Sequence, residues 1–384
     1  MRLAPLWSVV WLAAAWPLAG IAAEDVPPEA VVGRVAFLDV DEPNRVVLDF
    51  APEGAEPLRL WLDTGATHAV MTPLAARAAG VSVRALKDTP YRRKTRLGPD
   101  LQFYVDTLSS DTGSRTGWEY GLVGGDFLKQ FVVEIDFTAR AVRFLDPRRY
   151  SLVEAAPKEG EAVLALRDSP RPILNIEIAG HELPVMADTG MPWPLQLSGK
   201  AAKAIGVDVD ALPAWGEIHS TRGTVQTRLY VAPDVSIGGF HFANVPVIVA
   251  PNGLYNIGGE TSDSILGYDL LAQFLVRIDY QNRRMFLRRT GDRVCFWGVD
   301  YALEHETGAF LEPWPHGSRV LVVMPDSPAA RRGLRAGDFV TRDDPADTPE
   351  SMLRAIASGK RLNLKRTVDG VTTDVALEED AAAP

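Results

Sequence analysis

Part of this chain is written twice, and that duplication limits the fold more than any other feature. "LVGGDFLKQFVVEIDFTARAVRFL" (122–145) aligns without gaps to "ILGYDLLAQFLVRIDYQNRRMFLR" (265–288), with Gly, Asp, Leu, Gln, Phe, Val, Ile, Asp and Arg coinciding. Upstream, "MTPLAARAAGV" (71–81) matches "LSGKAAKAIGV" (197–207). Each predicts a short Ala-rich helix closed by a glycine just past its end, Gly80 and Gly206. Between these blocks, "KTRLGPDLQFYV" has its counterpart in "STRGTVQTRLYV". Three matches in the same order define a repeat of about 120 residues, so the fold has to be built from two copies of one unit.

The unit itself is β. Short apolar–polar alternations such as "RVVLDFAPEG", "VVEIDFTARAVRFL" and "VRIDYQNRRMFL" predict strands, the last two hairpins across "DFTARA" and "DYQNRR". Helix is scarce, so the chain reads as mostly β, with units at 31–150 and 160–290 joined by the polar, Pro-bearing "DPRRYSLVEAAPKEG". From Arg293 the character changes. "VLVVMPDSPAARRGLRAGDFV" predicts strand, turn, short helix and strand, "TPESMLRAIASGK" a capped amphipathic helix, and "RLNLKRTVDGVTTDVALEE" a hairpin turning at Asp369-Gly370. This third domain, 293–380, is small and α+β.

The net charge of −10 leaves no excess of Lys and Arg for phosphates, which argues against a nucleic-acid partner. Residues 1–23 carry Arg2, an apolar run and a small-residue end, the pattern of a cleaved signal peptide; an uncleaved anchor is the alternative. Cleavage implies a periplasmic or secreted protein without membrane insertion. Cys295 is the sole cysteine, so no intramolecular disulfide can form. The six histidines have no metal-ligand spacing, and no G-x-S-x-G elbow is present, so neither metal nor cofactor is expected. His68, five residues past Asp63, reads as a surface residue, and Trp193 and Trp215 as core or pocket lining.

Asp-Thr-Gly occurs three times, at Asp63, Asp111 and Asp188. Asp63 follows "LRLWL" and Asp188 follows "LPVMA", so each stands where a buried strand ends in a tight turn. Gly65 and Gly190 let the two turns approach closely, and Thr64 and Thr189 can hydrogen-bond across to the opposite loop. Two carboxylates brought together that way share a proton, and one can activate water while the other polarises a carbonyl. Asp111, in "SSDTGSRTG", has no apolar flank and no repeat counterpart; it is a turn residue.

Apolar-Asp-Thr-Gly followed later by apolar-apolar-Gly ("LVG" at 122–124, "ILG" at 265–267) resembles the pepsin and retropepsin superfamily. The resemblance spans roughly residues 31 to 290 and implies two retropepsin-like β-barrel lobes in a bilobal arrangement. It further implies an aspartic endopeptidase acting on polypeptides through Asp63 and Asp188, with no cofactor. Gly98 and Gly223 become flap-tip candidates, or else solvent-exposed hairpin turns. The second loop departs from the pattern: Met191 follows the triplet, then "PWP", so this half is either active with a reshaped pocket or degenerate. "PDSPAARRGLRAGDFV" resembles bacterial PDZ domains. That implies a loop at Trp297, Gly298 and Val299 for a peptide's terminal carboxylate, with "TGAFL" (307–311) a second candidate. A small β module that binds nothing is the alternative. For the whole chain, the alternatives are a non-catalytic peptide-binding scaffold on a degenerate protease fold, or an enzyme made by dimerising lobe one.

Overall fold

The two copies of the repeat form two sheets of one design and share a third. A computed structural model describes residues 26–38, 44–50, 58–72, 91–94, 100–105, 121–153, 155–220, 223–251, 264–291, 295–296, 299–314, 316–341, 347–368 and 370–377. In unit one, Leu58–Leu62 runs parallel to Gly121–Val123, which pairs antiparallel with Ala69–Met71 on its other side. Ala69–Met71 then runs parallel to Asp100–Val105. Unit two repeats the pattern with His181–Ala187, Ser264–Leu266, Leu195–Ser198 and Phe240–Ala250. The strand Ile173–Ile178 of this sheet also pairs with the far end of Gly223–Ile237, so the sheet curls back on itself.

The reason for the apolar-apolar-Gly signature lies in this threading. The short strand runs between the two arms of the Asp-Thr-Gly loop and must leave without touching them. A Cβ on Gly124 would lie 2.5 Å from the His68 carbonyl oxygen, and one on Gly267 2.0 Å from that of Trp193. No side chain fits either place.

The expected hairpins form as Val132–Asp136 with Ala141–Leu145, and Phe274–Asp279 with Arg284–Arg289. They do not stay within their own units. Val132–Asp136 pairs antiparallel with Phe274–Asp279, giving one six-stranded sheet that takes three strands from each unit. Glu134 faces Arg277 across this seam, accepting from Arg277 Nε at 2.6 Å and from Arg143 Nη2 at 2.8 Å. Arg277 Nη1 donates to the Tyr150 hydroxyl at 3.0 Å, and the guanidinium lies over Phe286. Burial pushes the Glu134 carboxyl up, but its two arginines outweigh that and hold it below the ordinary glutamate range. The apolar core is likewise continuous across the units, running from Leu62, Phe127 and Phe144 to Leu174, Phe274 and Leu287.

The helix after the second triplet is Gly199–Ala204, capped by Ser198 Oγ, which accepts from the Ala201 amide at 3.0 Å, and closed at Gly206 with φ of +81°. Its expected counterpart in unit one lies mostly outside the described residues. So do residues 1–23.

The C-terminal domain orders its strands Ala309–Trp314, Gly317–Val323, Phe339–Thr341, Leu362–Val368 and Val371–Leu377. The capped helix forms as Pro349–Ala357, with a reciprocal Thr348–Ser351 capping box, and the last hairpin pairs Val368 with Val371 as expected. Val299, Leu311, Val340, Leu353 and Ile356 make its core. Glu304, on the helix Tyr301–Thr307, is fully buried and accepts the Leu311 amide at 2.8 Å. Burial, reinforced by Asp269, Glu350 and Asp300, pushes its carboxyl well above the ordinary range. An aromatic seam joins this domain to lobe two. The Trp215 ring lies 4.8 Å from Phe296 and 5.1 Å from Phe310, and Trp193 and Met191 belong to the same cluster. Among the described residues, no helix is long and apolar enough to cross a membrane.

Candidate active site

Each aspartate is fixed by the strand that brings it in and by the strand threaded beside it. The Asp63 amide donates to the Val123 carbonyl at 3.1 Å, and the Asp188 amide to the Leu266 carbonyl at 2.9 Å. Each carboxylate is then aimed by its own loop. Asp63 Oδ1 accepts from the Ala66 amide at 2.8 Å, and Asp188 Oδ1 from the Gly190 amide at 2.7 Å.

The loops are locked to each other by their threonines. Thr64 Oγ1 donates to the Ala187 carbonyl at 2.8 Å and accepts from the Thr189 amide at 3.1 Å. Thr189 Oγ1 returns both bonds, donating to the Leu62 carbonyl and accepting from the Thr64 amide at 3.2 Å. Both threonines are 1% exposed, so water cannot substitute for these partners. The glycines close the remaining gap. A Cβ on Gly65 would fall 2.5 Å from Asp188 Cγ, and one on Gly190 2.8 Å from Asp63 Cγ. Each loop's glycine is thus the floor on which the other loop's carboxylate rests.

That geometry makes Asp63 and Asp188 a coupled pair. The carboxyl groups are enclosed by protein, although each residue keeps part of its surface open. Burial raises both above the ordinary aspartate range. Asp188 rises the further, because the neighbouring Asp63 charge adds to burial, while a hydrogen bond from Asp188 favours ionised Asp63. Two carboxyl groups held this close favour sharing a proton over ionising together. Arg45 opposes the rise at both.

The unusual exit of the second loop keeps the frame of the first. The Tyr268 amide donates to the Met191 carbonyl at 2.7 Å, as the Gly125 amide does to that of Ala66 at 2.8 Å. Met191 thus holds the Ala66 place, and its side chain packs against Ile173, Met186 and Ile265 and on the aromatic seam. Pro192 and Pro194 lack amide hydrogens, yet their carbonyls are used: Pro192 accepts from Asn44 Nδ2 at 3.1 Å and Pro194 from the Gly267 amide at 2.8 Å.

Of the other candidates, Asp111, Gly98, Trp297 and Gly298 lie outside the described residues. Gly223 pairs with Ser220 at the end of the hairpin Ala214–Ser220/Gly223–Ile237, with 221–222 between them outside the description. Val299 is buried in the C-terminal core. His68 is largely exposed, with Nδ1 3.8 Å from Asp126. Trp193 and Trp215 are packing residues of the seam. Among the described residues, no group of three His, Cys, Asp or Glu is placed to hold a metal ion. Sequence reasoning missed Asn44 and Arg45. A faint trace was there: "PNR" before "VVLDF" and "SPR" before "PILNIEI" repeat an arginine at Arg45 and Arg171.

Residues 174–270 match the model of the aspartyl protease family. The matched stretch holds Asp188, Thr189, Gly190 and Gly267 and stops short of the C-terminal domain. Among solved structures, the chain is similar to a retropepsin-like aspartic protease from Rickettsia conorii at 24% identity, covering 34% of this chain and 91% of that one with a TM-score of 0.28. It is also similar to basic 7S globulin from soybean at 13% identity, covering 67% of this chain and 94% of that one with a TM-score of 0.36. No curated protein matches the chain.

Proposed function

We propose that the protein is an exported aspartic endopeptidase that hydrolyses peptide bonds with a water held between Asp63 and Asp188. What carries the reading is the reciprocal Thr64–Thr189 lock, which holds the two Asp-Thr-Gly loops, and with them Asp63 and Asp188, against each other. Ionised Asp63 takes a proton from the water as its oxygen attacks the scissile carbonyl carbon, and Asp188 gives its proton to the carbonyl oxygen. The tetrahedral diol collapses as Asp63 passes the proton to the leaving nitrogen. Asp188 recovers one from a hydroxyl, the C–N bond breaks, and the pair returns to its starting state.

The C-terminal domain, read as PDZ-type, docks a polypeptide end for cleavage or for partner recruitment. One edge of its sheet is Ala309–Trp314, which follows Gly308 at φ of +68°. The candidate loop at 307–311 leads into that edge strand. The apolar start of the chain supports export to a periplasm or beyond.

The test is cleavage of an unstructured polypeptide across about pH 4 to 8, the span over which a one-proton carboxylate pair operates. Asp63→Asn and Asp188→Asn should each abolish activity, and Asp111→Asn should match wild type. A wild-type chain that cleaves nothing refutes the enzyme. An active Asp188→Asn refutes the two-lobe pair.

A further inference from the structure

Besides the threonine lock, a second set of lobe-one residues grips lobe two's catalytic loop. Asn44 and Arg45 stand just before the strand Val47–Phe50. Arg45, half-buried, lays its guanidinium 4.5 Å above the Trp61 ring and donates through Nη1 to the Gly190 carbonyl. Asn44 is buried in a left-handed conformation, φ +64°, which asparagine tolerates better than most residues. Its amide donates to the Pro192 carbonyl at 3.1 Å and to Asp269 Oδ1 at 2.9 Å.

The two loops are braced differently. In unit one, Asp126 accepts from the Ala69 amide at 2.9 Å, so the exit of the first loop is tied to its own lobe. Asp269 is the repeat counterpart of Asp126, and it accepts from Asn44 of the other lobe. The second exit contains two prolines and no hydroxyl at Met191, so it has few donors with which to tie itself down. Asn44 and Arg45 supply donors to its Gly190 and Pro192 carbonyls, on either side of Met191.

We propose that Asn44 and Arg45 are positioning residues for the Asp63–Asp188 pair, a lobe-one clamp that closes the Gly190–Pro192 exit of the second loop and sets a fixed cation beside the two carboxylates. The inference rests on the aspartic protease reading of that pair. The clamp also gives "DTGMPWP" a brace from the opposite lobe, beside the Tyr268 and Gly267 amides of its own lobe. The Arg45 charge favours ionisation of both aspartates, against burial. Removing it moves both proton-loss steps of the pair to higher pH.

The experiment uses the full chain and compares wild type with Arg45→Gln, Arg45→Lys, Asn44→Gly and, as a distant control, Arg319→Gln. Glycine at 44 keeps the positive φ without strain. Two measurements run in parallel: kcat and KM on a polypeptide against pH, and carboxyl titration by infrared difference between each variant and the same variant carrying Asp63→Asn. Arg45→Gln should shift both limbs of the pH profile, and the infrared titration, upward. Its kcat should fall about 10- to 100-fold, the scale of a slightly misplaced catalytic group. Arg45→Lys should keep the wild-type limbs with a reduced kcat. Asn44→Gly should lower kcat alone, and Arg319→Gln should change nothing. An Arg45→Gln profile with both limbs unmoved overturns the clamp, whether or not kcat falls. If wild type cleaves no substrate, the protease reading fails, and the infrared titration still decides the clamp: an unshifted pair in Arg45→Gln overturns it.

Discussion

Thr64→Val replaces a hydroxyl by a methyl of nearly the same size, so its effect isolates the cross-loop bonds. It removes the donor to the Ala187 carbonyl (2.8 Å) and the acceptor for the Thr189 amide (3.1 Å), leaving two buried backbone groups without partners. An unsatisfied buried polar group costs about 1–3 kcal/mol, so the expected loss is about 2–6 kcal/mol. Thr64→Ser keeps both bonds and loses one methyl, which costs about 1 kcal/mol. Thr189→Val breaks the other two bonds, to the Leu62 carbonyl and from the Thr64 amide, and so should match Thr64→Val within about 1 kcal/mol. Urea unfolding followed by tryptophan fluorescence measures all three, since Trp61 and Trp193 lie beside the loops. Peptidase activity should fall with both valine variants and persist in the serine variant. The reasoning is wrong if Thr64→Val costs less than about 1 kcal/mol, or if Thr64→Ser costs as much as Thr64→Val.

Gly65→Ala would put a methyl 2.5 Å from Asp188 Cγ, so kcat should drop at least about 100-fold in a chain that still folds; activity within a few-fold of wild type would contradict the contact. Glu304→Gln addresses pH. The folded state raises the Glu304 carboxyl, so its stabilising contribution is complete below the ordinary glutamate value and is lost as pH rises through the raised one. The glutamine variant should therefore melt higher than wild type at neutral pH, with the advantage vanishing on acidification. Parallel melting-temperature curves across pH would refute that assignment.

Much of this was legible in the residues because the repeat supplies its own control. Asp63 and Asp188 separate from Asp111 by their strand contexts, and the glycines at 65, 124, 190 and 267 are forced by contacts with almost no tolerance. Local chemistry also placed the hairpins and the Thr348 cap. What stayed hidden was the contact between units away from the Asp-Thr-Gly loops. The sharing of one sheet by Val132–Asp136 and Phe274–Asp279 depends on edge pairing, for which alternation within a strand carries no partner information. Asn44 and Arg45 act on residues about 145 positions away, and a polar pair ahead of a strand reads as ordinary loop chemistry. Met191 reads as a departure because the donors that hold its neighbours Gly190 and Pro192 belong to the other lobe.

Glu134 and Arg277 have one more property. They are the same position of the repeat, separated by the constant offset of 143 between 122–145 and 265–288. The two strands cross with those residues face to face, so the approximate twofold axis relating the lobes passes between them. In a dimer of identical halves, a residue on that axis meets its own copy, and a charge there opposes itself. Joining the halves in one chain removed the constraint and allowed opposite signs at a single site. Pairing of lobe one with another lobe one would bury two glutamates together, and lobe two with lobe two would bury two arginines, each costing several kcal/mol. The sheet thus recognises unlike halves and rejects like ones. The carboxylate pair is then built from one lobe of each kind, and the halves are free to diverge as Met191 and Ala66 have.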